Sequence, residues 1–220
     1  MKKTHILIFI IAAVGAGLAG IWMGKNTTDE TSVSIKPDTI QGAIYPKAKF
    51  IKEFTLINHR SEKVTKENFR NQWSLIFVGY THCPDICPTT MTVMNQVSEF
   101  MSKQEIQPPK IVFLSIDPER DTADILNSYV AYFNKDFIGL GGALTEVAQF
   151  SQQLNAVFRK APGLSGEITD KDYLMDHSSA LMLINPDGNL QSILTAPHTP
   201  ANVIESIIKS QAYFQKIRNL

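Results

Sequence analysis

Cysteine is scarce in this 220-residue sequence, with two in all. That excludes a disulfide-dense mini-scaffold, which needs several bridges to make up for a small core. Charge of one sign is not in excess either, because 21 Lys and Arg balance 21 Asp and Glu. With no basic block there is no electrostatic reason to expect nucleic acid. Internal repeats and low-complexity stretches are missing as well. What is present is apolar material: 44% hydrophobic residues, 19% charged, and twelve Phe. That suffices for a core and excludes wholesale disorder. Set against about 100–200 residues per domain, the length fits one folded domain plus a small appendage. The two cysteines fall within five residues, Cys83 to Cys87.

The appendage is N-terminal. Lys2 and Lys3 precede an uncharged run from Ile6 to Met23. As a helix at 1.5 Å per residue this run is about 27 Å long, close to the roughly 30 Å hydrocarbon core of a bilayer. Trp22 and Lys25 stand where an interfacial aromatic and a snorkelling cation are expected. The lysines on the short side predict a cytoplasmic N-terminus, with everything after Lys25 exported. A cleaved signal peptide is the alternative, with Gly17-Leu18-Ala19 as its cleavage site. The anchor is favoured because the apolar run continues past that site. Residues 1–25 are therefore read as a membrane anchor, 26–44 as a polar tether, and 45–220 as the folded domain.

Within the domain, Phe50–Ile57 alternates as a strand, and 67–71 suggests a short helical turn. Ser74–Tyr80 and Lys110–Ile116 are apolar runs expected of central strands buried on both faces. Thr89–Lys103 has Met91, Met94, Val97, Phe100 and Met101 at helical spacing. Asp121 or Thr122 caps a helix that runs to about Asn134. Leu144–Phe158 reads as a further helix. Ser179–Ile184 and Leu190–Leu194 flank Asn185-Pro-Asp-Gly-Asn189, a hairpin turn. Pro200 starts a last amphipathic helix. This order predicts an α/β fold, a mixed sheet with helices on both faces, with sites in loops at the carboxyl ends of parallel strands.

Cys83 and Cys87 sit at a strand-to-helix junction, where a four-residue spacing stacks them on one helical turn. A helix N-terminus lowers thiol pKa values, so thiolates form easily there. The pair can close a disulfide, transfer electrons, or hold a metal. A purely structural bridge gains little by closing so short a loop. A soft metal wants a third ligand, usually imidazole. His5 lies in the anchor. His82 points away from Cys83 and reads as a packing or supporting group. His59 reads as solvated and His198 as a loop residue. His177, immediately before a buried strand, is the remaining candidate, although a lone loop histidine is more often ordinary than a ligand.

Three motifs then combine. Gly79-Tyr-Thr-His-Cys-Pro-Asp-Ile-Cys-Pro88, Ser115-Ile-Asp-Pro-Glu-Arg-Asp-Thr122, and Asp176-His177 ahead of a strand ending Asn185-Pro-Asp-Gly188 resemble the Sco/SenC family over roughly residues 45–215. The resemblance implies a thioredoxin-like copper protein that assists cytochrome c oxidase assembly. It implies Cys83, Cys87 and His177 as ligands of a copper ion, Cu(I) or Cu(II). It also implies the copper-site subunit of the oxidase as partner, with other copper chaperones or thiol reductants as further candidates. Asp176 orients the site, serves a partner, or simply forms a turn. Asp117, Glu119, Arg120 and Asp121 read as helix capping and local ion pairs, not ligands.

Two rival functions share the fold. A thiol–disulfide oxidoreductase would use Cys83 and Cys87 as a catalytic redox pair on the oxidase copper-site cysteines. The Cys-x-x-x-Cys spacing, and the absence of proline from His177-Ser178-Ser179, weigh against pure redox work. A thiol peroxidase needs one activated cysteine, and ranks last.

Overall fold

The computed structural model describes residues 37–169 and 172–219. The expected anchor at 1–25 and most of the tether lie outside them. Among the described residues no helix is long and apolar enough to cross a membrane.

Ser74–Gly79 (β4) is buried at every position, so both faces of the sheet around it are covered. It pairs in parallel with β5 (Lys110–Ser115) and antiparallel with β9 (Leu181–Ile184). The sheet extends on one side through β10 (Leu190–Leu194) to β1 (Gly42–Lys49). On the other it extends through β6 (Ile138–Gly141) and β2 (Leu56–Asn58) to β3 (Lys63–Val64). The expected mixed sheet is thus present, with parallel pairs at its centre and antiparallel pairs flanking them.

Four α-helices are described: α1 (Ile86–Lys103), α2 (Ala123–Phe133), α3 (Leu144–Gln153) and α4 (Pro200–Arg218). A 3₁₀ turn spans Lys66–Phe69. Two of the starts are encoded locally. Thr122 caps α2 by accepting the Ile125 N–H, and Thr199 caps α4 by accepting that of Asn202, with Pro200 following. The β9–β10 turn is closed by the Asn185 side chain, which accepts the Asp187 and Asn189 N–H groups. Gly188 there takes φ +73°, a left-handed conformation that glycine adopts without strain.

Some boundaries differ from expectation. The strand expected over 50–57 contracts to β2, and β1 begins at Gly42, inside the stretch read as tether. β1 was not legible because Pro46 and a register break between Ile44 and Lys49 interrupt its pattern. The helix expected over 144–158 stops at Gln153. Asn155 turns left-handed (φ +59°), and the Ala156 N–H bonds back to the Ser151 carbonyl, a Schellman ending. The chain then enters a two-stranded ribbon outside the main sheet, β7 (Phe158–Pro162) and β8 (Tyr173–His177). Neither strand was anticipated, since β7 is largely solvated and shows no alternation. β6 is four residues with two glycines, too short and too weak in propensity to be read.

Candidate metal centre

β4 delivers the chain to Tyr80, whose carbonyl accepts the Cys83 N–H at 3.3 Å. Cys83 does not join the helix. A residue before proline is pushed out of the α region, and Pro84 follows. Asp85 is the N-cap, so α1 starts at Ile86 and Cys87 lies in its first turn. The two cysteines therefore do not stack on one helical turn. Cys83 sits half-exposed in the approach, and Cys87 is fully buried. A Cβ on Gly79 would lie 2.8 Å from the Cys87 sulfur and 2.8 Å from the Phe113 ring. The missing side chain is what lets this sulfur nest against β4.

His177 arrives from the other direction, as the last residue of β8 rather than in a loop. Its Nε2 lies 3.6 Å from the Cys87 sulfur. Its Nδ1 is 3.0 Å from the Ser178 carbonyl. A carbonyl only accepts, so Nδ1 carries a proton there, and Nε2 is the nitrogen that faces the sulfurs. The sulfurs of Cys83 and Cys87 and one His177 nitrogen all lie within 4.8 Å of one another. An ion held at about 2.0–2.3 Å by three donors in one plane separates them by roughly 3.5–4 Å. The triangle is close to that size, and thiolate with imidazole suits a soft or borderline ion such as copper or zinc.

The thiols are electrostatically unlike. The hydrogen bond from Cys87, with a smaller one from His177, holds the Cys83 thiol down at about 3, against the effect of burial. Cys87 is pushed up by donating that bond and by its own burial. The helix N-terminus was expected to acidify both, but coupling and burial push the two thiols in opposite directions.

Neighbouring groups hold this arrangement. The Asp121 carboxylate is buried and accepts the Thr81 N–H (3.0 Å), the Thr81 hydroxyl (2.6 Å) and the Ser115 hydroxyl (2.5 Å). It ties the cysteine turn to the end of β5 rather than capping α2. His82 stands 3.6 Å from Asp121, in the supporting place expected of it. The Asp117 carboxylate accepts from the Arg120 Nε (2.5 Å) and the Tyr173 hydroxyl (2.6 Å), and Arg120 Nη1 donates to the Tyr173 carbonyl (3.0 Å). The guanidinium lies 3.6 Å from the Tyr173 ring centroid. This buried pair clamps the ribbon that carries His177. On the exposed side, Glu119 pairs with Lys160 and Asp176 with Arg159. Asp176 neighbours His177 on a strand, so it faces the opposite way.

The other histidines serve elsewhere. His59 is buried rather than solvated. Its Nδ1 accepts the Gly139 N–H at 3.0 Å, and burial lowers its pKa. His198 bonds to the Ser179 carbonyl at 2.7 Å and steadies the segment after His177. Tyr80 and Tyr173 were not singled out from the sequence. Their only signal is position, one before the cysteine turn and the other four residues before His177.

The SCO1/SenC family model matches residues 42–212, and the chain belongs to that family. The mitochondrial SCO2 homologue of Bos taurus is 31% identical over 216 residues, covering 98% of this chain and 78% of that protein. The human one is 32% identical over 216 residues, with the same coverage. Among solved structures, Arabidopsis thaliana ScoI with copper bound is similar with a TM-score of 0.67 and 29% identity, covering 73% of this chain and 97% of that one. Bradyrhizobium japonicum ScoI with copper bound gives 0.62 and 31%, covering 74% and 98%. The thioredoxin-like expectation agrees with these folds.

Proposed function

We propose that this protein is a copper-binding assembly factor for cytochrome c oxidase. Cys83, Cys87 and His177 hold one copper ion as cargo and deliver it to, or prepare, the binuclear copper centre of the oxidase. The observation that carries this reading is the convergence of two sulfurs and one imidazole within 4.8 Å, from two separate parts of the fold. Two sulfur donors suit Cu(I), and the added imidazole makes the set competent for Cu(II) as well. Thiols bind a metal as thiolates, so uptake releases protons, and Cys87, whose pKa is raised by its bond to Cys83 and by burial, holds its proton the more tightly. The copper-bound ScoI relatives support the choice of metal. In this reading residues 1–25 anchor the chain in the cytoplasmic membrane, and the domain faces the extracytoplasmic side where the oxidase copper subunit is reached. Other copper chaperones or thiol reductants load or reduce it.

A second reading rests on the unequal thiols. A half-exposed thiolate beside a buried thiol is the arrangement of an attacking and a resolving cysteine. A membrane-tethered thiol–disulfide oxidoreductase acting on the oxidase copper-site cysteines would use the same pair. One experiment separates the two. The reduced protein is given one equivalent of Cu(I) or Cu(II), desalted, and analysed for metal. One retained copper per chain, with a sulfur-to-copper charge-transfer band in the Cu(II) sample, is the expected result. No retained copper, together with a Cys83–Cys87 disulfide that exchanges readily with small thiols, would make the oxidoreductase reading the leading one.

A further inference from the structure

The ribbon that carries His177 has two outer edges, and they differ. Just before β7, Val157 faces Ser178, and the Ser178 N–H bonds to the Val157 carbonyl at 3.0 Å. Antiparallel residues alternate between pairs that exchange backbone bonds and pairs that turn those groups outward. Phe158 with His177, and Lys160 with Met175, are therefore outward-turned pairs, whereas Arg159 with Asp176 bonds inward. On β8 the outer edge is used, because the Tyr173 carbonyl accepts from Arg120 Nη1 at 3.0 Å. On β7 the outward N–H and C=O groups of Phe158 and Lys160 have no partner among the described residues. Pro162, with no N–H to offer, ends that run.

This free edge adjoins the donor set. Phe158 is directly opposite His177, so a strand added to β7 would run about 10 Å from the His177 backbone. An open cavity of about 360 Å³ is lined by Val157, Phe158, Arg159, Asp176, His177 and Ser178. Val157 is 71% exposed. Arg159 is exposed too, and it spends Nε and Nη2 on a single oxygen of Asp176. A guanidinium has five N–H donors, so it has capacity for a second carboxylate. A second copy of this chain fits the edge poorly. Two-fold pairing centred on Arg159 or on Lys160 sets that cation against its own copy, and like charges directly opposite are unfavourable.

We propose that the outer edge of β7 is a strand-addition site for an extended, acid-bearing segment of the protein that takes the copper. The identity of the occupant as copper acceptor rests on the reading of Cys83, Cys87 and His177 as copper ligands. Phe158 and Lys160 each supply one main-chain donor and one acceptor, which give the affinity. Arg159 meets a carboxylate of the incoming segment, which sets its register.

The test uses the full-length, reduced, metal-free protein, with the peptide acetyl-Thr-Val-Glu-Val-Thr-Glu-amide as probe. One control peptide carries Lys for both Glu, and another is N-methylated at alternate residues. The acidic peptide is expected to slow amide exchange at Phe158 and Lys160, the Lys peptide to act more weakly, and the N-methylated one not at all. Lys160→Pro removes one outward N–H at an edge position where proline is tolerated, and Lys160→Ala controls for the lost side chain. Lys160→Pro is expected to bind the acidic peptide at least about fivefold more weakly than Lys160→Ala, the value of one hydrogen bond. No protection of these amides, or equal affinity in the two variants, overturns the site. Protection that rises with protein concentration in the absence of peptide assigns the edge to a second copy and overturns the proposed occupant. The two variants are then loaded with copper and compared in transfer to a purified, copper-free copper-site domain of the oxidase. Slower transfer from Lys160→Pro is expected, and equal rates overturn the copper acceptor as occupant. Wild-type protein that retains no copper overturns the metal reading, while the peptide titration still decides the edge.

Discussion

The cysteine turn and the histidine ribbon supply the same site by opposite means. Cys87 belongs to the core: its sulfur rests on Gly79 of the central strand and beside the Phe113 ring, with no exposure. His177 ends a two-stranded ribbon that pairs with no strand of the main sheet. That ribbon is held by side chains, through Tyr173, Asp117 and Arg120, rather than by a shared backbone ladder. Local opening is cheapest where few apolar contacts and few ladder bonds resist it. The sulfur half is thus tied to the central sheet, whereas the nitrogen half reaches the core only through side chains such as Tyr173 and Met175.

The sharpest test removes one donor from each half. Cys87→Ser is expected to abolish retention of either copper ion, a loss above about 100-fold, greater than that for groups that only support a ligand. His177→Ala is expected to keep Cu(I) while Cu(II) and its charge-transfer band are lost. Metal analysis after desalting checks both, and Cu(II) binding at full affinity in His177→Ala would break the comparison. Gly79→Ala comes next. A Cβ at 2.8 Å from sulfur and ring forces the core to shift, costing about 1–3 kcal/mol. Urea unfolding would show the loss, together with weakened Cu(I) binding, because the displaced sulfur is one of the proposed donors.

Tyr173→Phe tests the ribbon alone. It removes the hydroxyl donor to Asp117 while the Arg120 bond remains, a loss of about 1–1.5 kcal/mol. Amide exchange should quicken over β7 and β8 and stay unchanged in α1. Equal quickening in both would mean the halves open together. The smallest effect contrasts two imidazoles. His59 has its pKa held below the usual 6.5 by burial, so the unfolded chain takes up a proton before the folded one does. The stability from neutral His59 is full above about pH 6.5 and is lost as pH falls through the folded value. The unfolding midpoint of the metal-free protein should drop between pH 7 and pH 5, and His59→Asn should flatten that drop.

The central strands, α1, α4 and the Asn185–Asn189 turn were legible because continuous apolar runs, helical spacing and turn residues are local signals. Helix starts were legible where a local signal stood out, Asp121 or Thr122 before α2 and Pro200 in α4, whereas Asn155 as a terminator of α3 was passed over. β1, β6 and the ribbon were not legible, because each is short, edge-lying or interrupted by Pro or Gly, and gains its strand character from a partner. Among the histidines, spacing misplaced His59, which is drawn inside by the Gly139 N–H it accepts.

By itself the sequence determined the apolar strands that make the sheet, the pairing of two thiols across a strand-to-helix turn, and, through three motifs in order, the family. Only the tertiary structure decided that the thiols are unlike and that His177 faces them. It also decided that Asp117 and Arg120 lock the ribbon. Those facts depend on residues as far apart as Cys87 and His177 meeting in space. Local sequence encodes propensities and turns, but an inequality between two thiols, or the meeting of two sulfurs with an imidazole, arises only once distant segments are packed together.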